Sequence, residues 1–231
     1  MEHEPVQEVS VEAWHVRVWG RYKESWFDKH VRFSTGVSVL IFAVSVLASF
    51  LAIAYATERA SNPVTDIILS NTPTFDVSAV MAAGTVLLIA FITILFLHHP
   101  KRIPFGLHTL SLFFFIRSAF TVSTHIASFP IPPQNVANFN YTVERFFFGF
   151  GGDLFFSAHT AAPFLMALMF WHKPLLRNIF LALSAFFGSV VLLGHLHYTI
   201  DVFSAFFIAY GIYHIALKLF PRERSLFLGS E

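Results

Sequence analysis

The stretch HLHYTIDVFSAFFIAYGIYHIALKLF at positions 195–220 decides the fold. From Thr199 onward it is an apolar run of about the ~20 residues that a helix needs to cross a hydrocarbon core. It opens on His197 and Asp201, which are four apart, share one helix face and can hydrogen-bond. A carboxylate inside or beside a span is costly and by default functional. The stretch therefore reads as a membrane helix with chemistry at its mouth. His195-x-His197 can also be read as a pair of metal ligands, but residues two apart diverge on a helix, so neither metal nor cofactor is expected.

A second stretch, GGDLFFSAHT at 151–160, has a related design. Two glycines and an acid lead into Ser157-x-His159-Thr160 at the start of an apolar helix, an arrangement that aims backbone N–H groups at an anion. One histidine with its own carboxylate and another beside an anion-binding helix start suggest phosphoryl transfer through a phosphohistidine.

Working outward, the whole chain suits a bilayer. Of its 231 residues 55% are hydrophobic, 17% aromatic and 13% charged, and the mean hydropathy is +0.63, far from a soluble average. A formal charge of +1 argues against nucleic acid as a partner, and with no cysteine neither disulfides nor thiolate metal sites can form. Apolar runs at about 33–57, 76–97, 103–128, 158–172, 175–194 and 199–220 predict six spans in an all-α integral membrane protein. The fourth is short, as suits a segment that starts in a recessed cavity.

Basic residues give the orientation. Arg17, Arg21, Lys23, Lys29, Arg32, Lys101, Arg102, Lys173, Arg177, Lys218, Arg222 and Arg224 fall on one side. Arg59 and Arg145 fall on the other, and Arg117 lies within a span. This bias predicts cytoplasmic termini, and it places His159, His197 and Asp201 together on the exoplasmic side. The organisation expected is an N-terminal segment over 1–32, with Trp14, Trp19 and Trp26 at headgroup depth, a six-helix catalytic domain over 33–220, and a cytoplasmic tail over 221–231.

Gly-Asp-x-x-Phe-Ser-x-His-Thr at 152–160 and His-Tyr-Thr-Ile-Asp-Val at 197–202, followed by Ala205, resemble the two C-terminal motifs of sphingomyelin synthases and their ceramide phosphoethanolamine synthase relatives. These belong to the type 2 phosphatidic acid phosphatase superfamily. Arg117, Thr121, Thr124 and Phe129-Pro130-Ile131-Pro132 are similar to the family's third span, and the resemblance covers roughly 103–210. Two positions depart from the pattern: Ala158 stands where the family has glycine, and Gly151 where it has cysteine.

The resemblance implies His197 as nucleophile, Asp201 as its orienting carboxylate and His159 as general acid and base. The reaction implied moves a phosphocholine or phosphoethanolamine group from a glycerophospholipid to ceramide or diacylglycerol. Ser157, Thr160 and Tyr198 are candidates on the substrate side. Arg117 either binds the phosphate or pairs with a buried carboxylate. Asp153 and Glu144 either receive a choline or ethanolamine ammonium or are solvated loop acids. The partners expected are a phospholipid donor, a lipid hydroxyl acceptor and the membrane, with a homo-oligomer left open. The membrane is a plasma or inner membrane, or Golgi or endoplasmic reticulum in a eukaryote. A lipid phosphatase or phospholipase C-type hydrolase would use the same residues with water as acceptor. Its usual Lys-x6-Arg-Pro motif is absent from the chain, which favours transfer. Phe146, Phe147, Phe148, Phe150, Phe155 and Phe156 before His159, and Phe203, Phe206 and Phe207 after Asp201, are expected to wall the site against water.

Overall fold

The computed structural model describes residues 14–130 and 155–229. Among the described residues the α-helices are α1 (Trp14–Phe27), α2 (Lys29–Glu58), α3 (Ser78–Leu97), α4 (Ile103–Ser123), α5 (Ala158–Met169), α6 (Pro174–Leu193), α7 (Thr199–Leu219) and α8 (Pro221–Leu228). Short 3₁₀ turns stand at Leu69–Asn71 and Pro100–Arg102. Five helices are long and apolar enough to cross a membrane: α2, α3, α4 with its preceding turn, α6 and α7. The chain is a multi-pass membrane protein.

The expected fourth span is α5, and it has only 12 residues. At ~1.5 Å per residue it reaches about 18 Å, short of the ~30 Å hydrocarbon core. Five described helices, not six, therefore have the reach of a span. Ser157 caps the start of α5, and all but Ala162 and Phe164 of its residues are buried. Protein rather than lipid surrounds this helix, so its short ends are not exposed to hydrocarbon.

Side-chain size explains the packing. α2 turns Ser34, Ser38, Ser45, Ser49, Ala52 and Ala56 inward at helical spacing, and this small-residue face lets it lie along α4. Its opposite face exposes Phe33, Leu40, Leu47 and Phe50, as a lipid-facing surface should. On α4 the buried stripe runs Phe105, Thr109, Phe113, Arg117, Thr121, one residue every four. On α7 it runs Asp201, Ala205, Ala209, Ile212, Ala216, and the alanines give α5 close access.

The bundle has two dissimilar ends. The starts of α5 and α7 share one end with the loop that follows α2. At the other end, the Pro100–Arg102 turn meets α1 and α8. There the Tyr22 hydroxyl donates to the Leu97 carbonyl at 2.9 Å, and Arg102 lies over the rings of Phe170 and Phe227.

Candidate active site

The site end is built around the turn from α6 into α7. α6 closes with Gly194 in ordinary helical geometry, followed by His195 at φ +52°. The His195 N–H donates to the Leu192 carbonyl and the Leu196 N–H to the Val191 carbonyl, the pattern of a helix stop with a left-handed residue just past its cap. Glycine usually takes that residue. Here Gly194 is needed one position earlier, because a Cβ on it would lie 2.3 Å from Val77 Cγ2, and histidine, one of the more tolerant side chains, adopts the left-handed turn. His195 is buried, bonded through Nδ1 to Thr74 Oγ1 at 3.0 Å and set edge-on to Phe129. It shapes the turn, and no group of three metal-ligating side chains occurs among the described residues.

Two residues on, His197 Nδ1 stands 3.4 Å from Asp201 Oδ2, with both residues buried. The same oxygen accepts the Tyr198 N–H at 3.0 Å. Asp201 thus caps the helix that carries it while facing the imidazole, and this fixes the carboxylate before any substrate arrives. A proton held on Nδ1 by Asp201 leaves the lone pair on Nε2.

Ser157 is the N-cap of α5, its hydroxyl accepting from the Thr160 N–H at 3.4 Å. Its own N–H donates to the Asp201 carbonyl at 3.0 Å. One backbone bond therefore ties the two motifs together. It brings His159 near the pair: His197 and Arg117 are both close enough for their charges to act on His159. Arg117 is 1% exposed, six residues before the end of α4, and an ionisable side chain kept inside a span is costly and by default functional. α6 supports the junction from behind. Ser184 Oγ donates to the Thr160 carbonyl at 2.7 Å, and a Cβ on Gly188 would press within 3.2 Å of Val202 and 3.4 Å of Thr160.

The aromatic wall is only partly as expected. Phe156 is fully buried at φ +34°, a backbone region that costs an aromatic residue ~1–3 kcal/mol. It is held edge-on by Phe113 and Phe120, and Phe155 stacks on Phe120. Phe203 and Phe207 are 54% and 79% exposed and Phe206 packs on Phe164, so none of the three walls the site. The cause is helical period: the face of α7 that presents Asp201 and Ala205 points residues 203 and 207 outward. Phe187 stands nearer, with its ring centroid 6.1 Å from that of His159. Asp153, Glu144 and the phenylalanines at 146–150 lie outside the described residues.

Sequence reasoning missed Asp66, 133 residues from the helix it serves. Its carboxylate accepts from Thr199 N–H at 2.7 Å and Thr199 Oγ1 at 2.6 Å. It also accepts from the N–H groups of Ile68 and Leu69. Burial pushes the Asp66 carboxyl up, but these bonds outweigh it and hold the group below the ordinary carboxylate range. Tyr198 completes the brace: its hydroxyl donates to the Ala127 carbonyl at 2.8 Å and accepts from Val64 N–H at 3.1 Å. The hydroxyl expected on the substrate side thus joins two loops.

No curated protein and no solved structure matches the chain. Residues 151–218, which hold both motifs and the turn between them, match the family model described as PAP2 superfamily C-terminal, and this supports membership of the chain in the PAP2 superfamily.

Proposed function

We propose that the protein transfers a phospho-headgroup between lipids. The superfamily includes both lipid phosphatases and phosphotransferases, and the resemblance of the motifs to sphingomyelin synthases favours a phosphocholine or phosphoethanolamine donor with ceramide or diacylglycerol as acceptor. The observation that carries the reading is the buried His197–Asp201 pair tied to the His159 helix through the Ser157–Asp201 backbone bond.

In the first half-reaction His197 Nε2 attacks phosphorus. The phosphorus–oxygen bond to the glycerolipid breaks, and His159 gives its proton to the departing oxygen. Asp201 holds the other imidazole N–H and steadies the phosphorylated ring's positive charge. In the second half-reaction the acceptor hydroxyl loses its proton to His159 and attacks the same phosphorus, and the nitrogen–phosphorus bond breaks. Amides at the start of α5, together with Arg117 and Thr160, stabilise charge on the phosphoryl oxygens. Asp153 and Glu144 receive the headgroup ammonium, while Ser157 and Tyr198 act by holding the helix starts in place. The described spans together with α5 make up the six-helix plan, with the termini cytoplasmic and the site exoplasmic.

Purified protein in liposomes with labelled donor, with and without acceptor, tests this reading by mass spectrometry of the lipid products. New phospholipid should exceed free phospho-headgroup at saturating acceptor. Dominant hydrolysis with every acceptor would replace transfer by the phosphatase reading. Single cysteines at Asn71 and Ser225 in the same vesicles should label from opposite sides.

A further inference from the structure

Far from the histidine pair, at the other end of α7, a groove of about 680 Å³ opens between the start of α2 and the junction of α7 with α8. α7 has 21 residues, so about 30 Å of helix separates this groove from Asp201. Its floor is apolar: Phe33, Val37 and Ile41 from α2, with Leu219 and Phe220 opposite. His108, 6% exposed, forms the back wall, stacked on Phe220 with ring centroids 4.5 Å apart. The rim is polar and carries both signs of charge, with His30 and Arg222 beside Glu223. Glu223 is fixed by Ser34, whose hydroxyl donates to Oε1 at 2.9 Å. The floor belongs to spanning helices, so hydrocarbon chains are what it meets in a bilayer.

We infer that this groove is a phospholipid-binding site, separate from the catalytic one and selective for a zwitterionic headgroup. One acyl chain lies along Phe33, Val37 and Ile41. The phosphate meets Arg222 in a charge-assisted contact, with His30 across the mouth. The headgroup ammonium meets Glu223, whose carboxylate would repel a lipid of purely negative headgroup. Charge complementarity thus selects among lipids that the apolar floor alone would accept equally. The protonatable and charged groups around the phosphate position are His30, His108, Arg222 and Glu223.

The test uses the full chain in nanodiscs of equal phosphatidylethanolamine and phosphatidylglycerol, followed by native mass spectrometry of lipids that stay bound. The wild type should retain phosphatidylethanolamine over phosphatidylglycerol. Arg222→Glu should lower that retention by about tenfold, the change expected for one lost charge-assisted contact, and Glu223→Gln should erase the preference between the two lipids. Val37→Trp should block retention by filling the floor. Arg222 is exposed and Glu223 half-buried at the rim, outside the packed core, so their variants keep the inference testable if Val37→Trp does not fold, and headgroup transfer should continue in both. Equal retention of both lipids by the wild type, unchanged retention in Arg222→Glu, or protection of the site by inorganic phosphate alone would each overturn the inference.

Discussion

The two ends of the bundle use histidine in opposite ways. At the site end His197 faces a carboxylate at 3.4 Å. At the other end Arg21 Nη1 donates to His98 Nδ1 at 3.0 Å and to His99 Nε2 at 3.2 Å, with Arg102 and Lys173 near enough to act on His99. A carboxylate fixes the tautomer of its imidazole and tolerates a positive ring, which a nucleophile that becomes phosphorylated requires. A cluster of cations does the reverse and admits only the neutral ring, as an acceptor. The difference shows that the nearest partner sets what each of these two imidazoles can do, a carboxylate beside buried His197 and cations beside half-buried His99, where burial adds to the same effect.

The largest expected effect breaks the site end alone. His197→Ala should abolish headgroup transfer, and Asp201→Asn should lower it by about 10³–10⁴, as loss of tautomer control does in hydrolase triads. His99→Ala should leave turnover within a few-fold of the parent. Rates from the liposome assay check all three, with thermal melting as a control for folding. Activity within a few-fold of wild type in His197→Ala would reject the phosphohistidine route.

A smaller effect is expected from the brace behind the pair. Asp66→Ala leaves the half-buried Thr199 N–H and hydroxyl without their acceptor at the mouth of α7, and losing such a bond costs about 0.5–1.5 kcal/mol. Part of that loss should appear as a lower melting temperature. The rest should appear as a fall of about tenfold in turnover at unchanged donor KM, because the start of α7 sets where His197 points. A change in KM alone would make Asp66 a substrate contact and not a positioning residue.

These residues also show what could be read in advance. The His197–Asp201 contact and the Ser157 cap on the helix of His159 were legible because each lies within four positions of one helix or helix start, and local spacing carries that information. The helical class and the long spans were legible for the same reason. Asp66 was not, since its partner Thr199 is remote in sequence and its own loop carries no periodic signal. The shortness of α5 was legible in the run at 158–172, but its enclosure by protein was not, because an apolar run reads alike whether lipid or protein surrounds it and only packing against α6 and α7 distinguishes the two. The reading of Phe203 and Phe207 as a wall followed proximity in sequence, whereas the helix turns them away from the face of Asp201.

The smallest effect sharpens the comparison from the other end. Burial, followed by the positive charges of Arg102, Arg21, His98 and Lys173, pushes His99 down to about 3 from an ordinary 6.5. His99 lies between the spans, in the turn from α3 to α4. In the unfolded chain the same histidine takes up a proton near its ordinary value, so between about pH 6.5 and 3 the unfolded state binds more protons at this position than the folded state. Stability from this position is therefore full above the ordinary value and drains away as the pH falls through that window. Replacing His99 by Gln removes the titration while keeping an acceptor for Arg21. In detergent, the melting temperature of His99→Gln should fall less steeply than that of the parent between pH 6.5 and 4, with the two curves parallel above pH 7. Parallel curves for His99→Gln and the parent down to pH 4 would mean that the cations around His99 do not hold it neutral, and the contrast between the two ends would fail.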